Sequence, residues 1–220
     1  MNFHIITIFP NILDSYINES ILKRAQDNDL INIKTYGLRD WTEDKHKTVD
    51  DTPYGGGAGM LMKIEPLYKA IRDVKAKCKG ETKVVMLSAK GKTWKQATAK
   101  EYTKIDNLIM ICGRYEGIDE RITEFIDEEI SIGDYVLTGG EIGALVLTDS
   151  IARLLPGVLG NDDSSISESH TVPGLLEYPQ YTKPNTFKAE GKEYPVPDVL
   201  LSGNHAEIEK WKKEKSKKTR

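Results

Sequence analysis

The chain has 220 residues, enough for one large domain or a large one and a small one, either with a proper core. Hydrophobic residues make up 39% and charged residues 30%, the balance of an ordinary soluble globular protein, and the net charge of −3 excludes a global basic field for nucleic acid while leaving local patches open. Two cysteines, Cys78 and Cys112, exclude a disulfide scaffold and a four-cysteine zinc site. No apolar run approaches the ~20 residues of a membrane span, and Met1 to Pro10 lacks the basic region and cleavage site of a signal peptide, so a cytoplasmic address with no membrane partner is expected.

In chain order, Phe3 to Phe9 is an apolar run of strand length. Pro10 suits a first helical position, and Ile12, Leu13, Tyr16, Ile17, Ile21 and Leu22 follow at helical spacing. Asn28-Asp29 breaks that segment, and Ile31 to Tyr36 reads as a second strand. Residues 64–77 read as a helix with Leu67, Ala70, Ile71 and Val74 on one face. Val84 to Leu87 and Leu108 to Ile111 are continuous apolar runs, the mark of buried parallel strands, with a helix expected over 92–103 between them. Glu141 to Leu155 is an apolar helix stopped by Pro156-Gly157. Such alternation argues for an α/β layer fold with a mostly parallel sheet.

Beyond Gly160 the character changes. Asn161 to Ser169 is polar and short of apolar anchors, which predicts a mobile linker over 161–175. Residues 173–203 hold five prolines and little periodicity, and helix returns near Ala206 with Ile208 and Trp211 as anchors. The last 16 residues carry +4, leaving −7 on the rest. The reading is a small basic C-terminal module over 176–220; a solvated, fraying helix end explains the lysines equally well. The domain over 1–160 carries the alternating pattern.

Four segments hold candidate chemistry. Tyr54 to Met60 packs four glycines into five positions, but it follows no strand directly and lacks Gly-Lys-Ser/Thr, so it is neither a dinucleotide fingerprint nor a P-loop. Such backbone can approach a flat ligand or another chain closely. Leu87 to Gly91, Cys112 to Arg121 and Ser131 to Glu141 each follow a strand, at the edge where parallel sheets bind ligands. The three loops are placed to converge on one pocket. From Glu116 to Asp134 there are eight acidic residues and one arginine, a field that repels phosphate and suits a cationic small molecule, although a solvated acidic face accounts for most members. His4, His46, His170 and His205 have no metal-ligand spacing, so no metal site is assigned. Cys112, inside an apolar strand, reads as a buried small hydrophobe rather than a nucleophile.

Taken together, these blocks resemble the bacterial tRNA (guanine-N1)-methyltransferases, the TrmD family of the SPOUT superfamily. The resemblance runs to about residue 211. It rests on Ile8-Phe9-Pro10, Arg39-Asp40, Thr48 to Asp51 leading into Pro53 to Met60, Cys112 to Arg121, Ser131 to Glu141, Pro156 to Gly160 and Leu200 to His205. It implies a SPOUT-type α/β sheet with a deep trefoil knot and a small, mainly helical C-terminal domain, here shortened at its end. It implies S-adenosylmethionine as methyl donor, cradled by Leu87, Ser88, Gly113, Tyr115, Glu116, Ile132, Gly133, Tyr135, Leu137, Gly139 and Gly140. It implies a homodimer with active sites at the subunit interface, tRNA as partner, and Mg²⁺ dependence, for which no ligand cluster is found.

The implied target is N1 of the guanosine immediately 3′ of the anticodon in a subset of tRNAs. That nitrogen carries a proton and needs a general base. The family's Asp-Ser pair maps to Glu168-Ser169 in a linker one residue longer, with Asp162 and Asp163 as rivals. The family's arginine maps to Arg153, which favourable capping of its helix would also explain. Other departures are Met86 for a tyrosine, Ala89 for a proline and Gln180 for a histidine. Two competing expectations are a non-catalytic RNA-binding relative of the same fold and a nucleotide-binding oxidoreductase.

Overall fold

A computed structural model describes residues 1–160, 168–170, 172 and 174–218. The chain forms two compact units, Met1–Asp162 and Asp163–Arg220.

The first unit opens with β1 (Asn2–Thr7), followed by a 3-10 turn at Pro10–Leu13, α1 (Asp14–Ile17), α2 (Ser20–Asp27) and β2 (Asn32–Gly37). The continuous helix expected after Pro10 is therefore split. Ser20 adopts positive φ (50°), which breaks the helical path between α1 and α2 while Leu13, Ile17 and Leu22 all still reach the core. After the short hairpin β3 (Asp50–Asp51) and β4 (Leu61–Met62), α3 (Ile64–Lys75) buries Leu67, Ala70, Ile71 and Val74, the face its spacing predicts. β5 runs from Thr82 to Thr93, so the expected helix over 92–103 shrinks to α4 (Gln96–Tyr102). Strand pairing of Lys92 and Thr93 with Ile130 and Ser131 wins over local helix propensity there. β6 (Asn107–Cys112), β7 (Glu128–Ser131) and α5 (Glu141–Ala152) complete the unit.

The five long strands form one parallel sheet in the order β2-β1-β6-β5-β7. Alternate residues feed two cores. Phe3, Ile5, Val85, Leu87, Leu108, Met110 and Cys112 pack against α1, α2, α4 and α5. Ile6, Val84, Met86, Ile109 and Ile111 pack against α3 and Ile122. Because both faces are covered, the strands read as unbroken apolar runs rather than as alternation. The observed architecture is the α/β class with a parallel sheet that the sequence predicts.

The second unit contains β8 (Leu175–Leu176), the hairpin β9 (Thr186–Ala189) and β10 (Lys192–Pro195), α6 (Asp198–Leu201), α7 (His205–Lys215) and β11 (Lys217–Lys218), which pairs with β8. Helix α7 is its longest element. Two small sheets accompany it that sequence periodicity does not announce. Asn204 caps α7 by accepting from the Glu207 N–H at 3.4 Å, and Lys212, Lys213 and Lys215 sit in its last turn, where the helix dipole favours cations. Tyr178 and Tyr181 pack their rings 6.5 and 6.4 Å from Trp211. Among the described residues no helix is long and apolar enough to cross a membrane.

Candidate active site

Three loops leave the carboxyl ends of neighbouring parallel strands. They are the turn after Leu87 within β5, the loop after β6 and the loop after β7. In a parallel sheet these ends form the ligand-binding edge, and here they enclose a cavity of about 480 Å³. Its lining includes Leu87, Ser88, Gly113, Tyr115, Glu116, Ile132, Gly133, Tyr135, Leu137, Gly139 and Gly140. All eleven residues that the resemblance assigns to a donor cradle thus surround one space.

The cavity has a crowded floor. The Gly140 N–H donates to the Gly113 carbonyl at 2.9 Å. A Cβ on Gly140 would lie 2.8 Å from the Cys112 Cα and 3.0 Å from both the Gly113 nitrogen and the Leu87 Cβ, so only glycine lets these three chain segments meet. The third loop closes on itself. The Ser131 hydroxyl donates to the Gly133 carbonyl at 3.0 Å, and the Tyr135 hydroxyl donates to the Ile132 carbonyl at 3.1 Å. Cys112 is fully buried at the floor, and burial pushes its thiol well above the usual range, so it is the inert hydrophobe expected of it.

The Gly-rich loop reaches the same place. Gly55, Gly56, Gly57 and Gly59 all have positive φ. At Gly59 a Cβ would lie 2.3 Å from the Glu116 Cγ, and the Glu116 N–H donates to the Met60 carbonyl at 3.1 Å. This loop therefore braces Glu116, a wall of the cavity. Tyr115 next to it has positive φ (61°), and its phenol is pushed up by burial first and then by the Asp50 carboxylate.

Sequence reading missed an ionic anchor behind the wall. The Glu141 side chain is only 3% exposed. It accepts from the Arg114 Nε at 3.1 and 3.0 Å, from the Arg114 Nη2 at 2.9 Å and from the Thr7 hydroxyl at 2.6 Å. Arg114 also donates to the Thr138 carbonyl at 3.1 Å and lies 4.9 Å from the centre of the Phe9 ring. This network ties β1, the loop after β6 and the start of α5 together. Nothing in sequence spacing announces it, because the partners of Glu141 lie 27 and 134 residues away.

The acidic stretch is largely internal wiring. Asp127 accepts from the Val84 N–H at 2.7 Å, Glu128 accepts from the Tyr102 hydroxyl, and Glu120 pairs with Lys90 at 2.9 Å. Asp119 caps the turn at Glu120–Phe125 by accepting from the Arg121 N–H. Among the described residues the Glu116 carboxylate has no hydrogen-bond or ion-pair partner, so it is the lining acid available to a ligand.

Of the two residues expected to do chemistry, Arg153 belongs to the first unit and Glu168 to the second. Arg153 is the C-cap of α5, with its N–H directed at the Asp149 and Ile151 carbonyls, and it is not among the residues lining the cavity. Glu168 belongs to the second unit, where neighbouring Ser169 accepts from the Glu177 N–H at 3.0 Å. Asp162 and Asp163, and most of the linker expected over 161–175, lie outside the described residues. Of the departures, Met86 is largely buried and lines the cavity, and Gln180 donates to Glu177.

Known proteins point the same way. A family model described as tRNA (Guanine-1)-methyltransferase TrmD matches residues 1–220. A tRNA (guanine-N(1)-)-methyltransferase of Dictyoglomus turgidum is 55% identical over 220 residues, covering 100% of this chain and 86% of the relative. One from Citrifermentans bemidjiense is 52% identical over 221 residues, with the same coverage. One from Dehalococcoides mccartyi is 50% identical over 217 residues, covering 98% of this chain and 86% of the relative. The oxidoreductase expectation falls with these matches, and a non-catalytic RNA-binding relative is not favoured. A whole-length family match, relatives at half identity or better, and a strand-end cavity lined by the eleven expected residues agree: the chain belongs to the tRNA (guanine-N1)-methyltransferase family TrmD.

Proposed function

We propose that the cavity binds S-adenosylmethionine and that the protein transfers its methyl group to N1 of the guanosine immediately 3′ of the anticodon in a subset of tRNAs. Family membership supports guanine-N1 methylation of tRNA. The observation that carries the donor assignment is the convergence of three strand-end loops on one cavity. Backbone at Gly113 and Gly139 along the cavity suits the polar edge of adenine, Leu137 and Ile132 give apolar walls, and the Glu116 carboxylate suits a cation. The fold reading extends to the trefoil knot of the family.

The donor supplies a methyl carbon made electrophilic by its sulfonium. The residues of the chain prepare the acceptor. Glu168 takes the N1 proton, and the freed nitrogen lone pair forms the new N–C bond as the C–S bond pair leaves to sulfur. Negative charge spreads onto the guanine carbonyl oxygen, where the Arg153 guanidinium stabilises it. Mg²⁺ is implied by family resemblance. Among the described residues no group of three or more His, Cys, Asp or Glu could hold a metal ion.

We infer a homodimer in which a second copy completes each site. Two facts support it. Arg153 does not line the cavity of its own chain. Phe9, Ile12, Tyr16, Ile142 and Val146 expose apolar surface around α5 and its neighbours, with Ile142 59% exposed. Patches of this kind mark protein contacts. Sedimentation as a monomer at micromolar concentration would remove this part of the reading. A tRNA substrate also fits a cytoplasmic location.

The deciding assay uses methyl-labelled S-adenosylmethionine and tRNA transcripts with or without guanosine 3′ of the anticodon. Labelled 1-methylguanosine in the first set alone is the expected result. Single-turnover rates for Glu168→Gln, Asp162→Asn and Asp163→Asn then assign the base. An undiminished rate for Glu168→Gln would transfer the role to one of the aspartates.

A further inference from the structure

We propose that Lys90 sets how strongly the cavity prefers the positively charged methyl donor over its neutral-sulfur product. The inference rests on the reading that the cavity takes S-adenosylmethionine.

The placement of Lys90 follows from an irregularity in the sheet. β5 pairs with β7 at Val85 to Leu87 and again at Lys92 and Thr93, with a register shift between. The intervening residues bulge out of the ladder at the cavity rim, and such bulges re-aim side chains beside ligand sites. Close backbone contact holds the bulge, since a Cβ on Gly91 would lie 2.5 Å from the Ile130 nitrogen and 2.6 Å from the Glu129 carbonyl carbon. From this fixed start the Lys90 ammonium spans two acids. It lies 3.1 and 2.9 Å from the Glu120 carboxylate oxygens and 3.8 Å from the Glu129 Oε1. The other Glu129 oxygen is buried with no hydrogen-bond partner. Lys90 and Glu120 both line the cavity, and the Glu120 hydrogen bond holds the Lys90 pKa above its usual value, so the charge persists at neutral pH.

The charges around the cavity then divide simply. Arg114 is committed to Glu141. Lys90 offsets Glu120 and Glu129, and Glu116 stands free. The donor carries a sulfonium, an ammonium and a carboxylate, hence one net positive charge. The product has a neutral thioether in place of the sulfonium and no net charge. A change in the charge of the cavity therefore acts on the donor far more than on the product. Removing the Lys90 charge uncovers two carboxylates and tightens the donor alone. Removing the Glu120 charge does the reverse.

The test compares dissociation constants for S-adenosylmethionine and S-adenosylhomocysteine by calorimetry on the full chain. Lys90→Met should raise the donor-over-product preference about twofold at low salt, the scale of one charge at ~8–10 Å in an aqueous dielectric. The gain should shrink at ~1 M salt, where the screening length is ~3 Å. Glu120→Gln should lower the preference by a similar factor, and Lys90→Arg should leave it unchanged. If Lys90→Met does not fold, the Glu120→Gln and Lys90→Arg pair carries the same sign test. An unchanged ratio in both charge-removing variants overturns the proposal. So does equal weakening of both ligands by Lys90→Met, which would mean that Lys90 grips the carboxylate they share. A wild-type protein that binds neither ligand would sink the cavity assignment itself.

Discussion

The two units of this protein are organised on different principles. In Met1–Asp162 a parallel sheet buries side chains on both faces, and the candidate cavity is framed by backbone turns at its rim. In the unit from Asp163 onward no described side chain is buried. Its order comes from a hairpin, a capped lysine-rich helix and a ring cluster around Trp211. A cavity built on a packed core is already formed before ligand arrives. A unit built from exposed contacts offers surface instead, which suits a partner larger than itself. On the proposed function the difference would separate two tasks, holding a small donor and engaging an RNA.

That division can be broken most directly at Glu168, in the second unit. Glu168→Gln should slow single-turnover methyl transfer by about 10²–10⁴-fold, the usual worth of a general base, while leaving donor affinity within twofold of wild type. Loss of donor binding in this variant would show that the tasks are not separate. Next in size is the ionic anchor. Arg114→Met leaves the Glu141 carboxylate buried with Thr7 as its remaining partner. Urea unfolding should show a loss of about 3–5 kcal/mol. A loss below ~1 kcal/mol would mean that water reaches Glu141 and that the anchor is weak.

Gly140→Ala sharpens the account of the cavity. The added methyl meets the Cys112, Gly113 and Leu87 atoms at 2.8 to 3.0 Å, so the floor must shift. A destabilisation of about 1–3 kcal/mol and at least tenfold weaker donor binding by calorimetry are expected. Normal donor binding would place the ligand away from this floor. The smallest effect concerns the surface of the second unit. If the lysines of α7 and the segment after it touch RNA phosphates, the logarithm of tRNA affinity falls steeply with that of salt concentration. Deleting residues 212–220 should flatten that slope by about 0.9 for each phosphate that is no longer neutralised. An identical slope would leave those lysines as solvated charges.

Much of the first unit was legible in the sequence. The runs 84–87 and 108–111 are buried strands, and the 67/70/71/74 spacing is the buried face of α3. The sequence also placed three loops at strand ends, and the resemblance attached the eleven lining residues to a donor. Legibility failed where a distant partner outweighed local preference. β5 continues to Thr93 because β7 pairs with it, and the small sheets of the second unit form without apolar periodicity. The two short runs of β3 and β4 likewise owe their strand form to each other.

By itself, then, the sequence determined the layer class, the buried faces and the family, because hydrophobic period, chain punctuation and ordered motif blocks are local properties of the chain. Only the tertiary structure decided that Glu141 answers Arg114 and Thr7, that Gly59 braces Glu116, and that Lys90 spans two acids. These are contacts between residues far apart in sequence, and their geometry exists only once the sheet has brought its strand ends together.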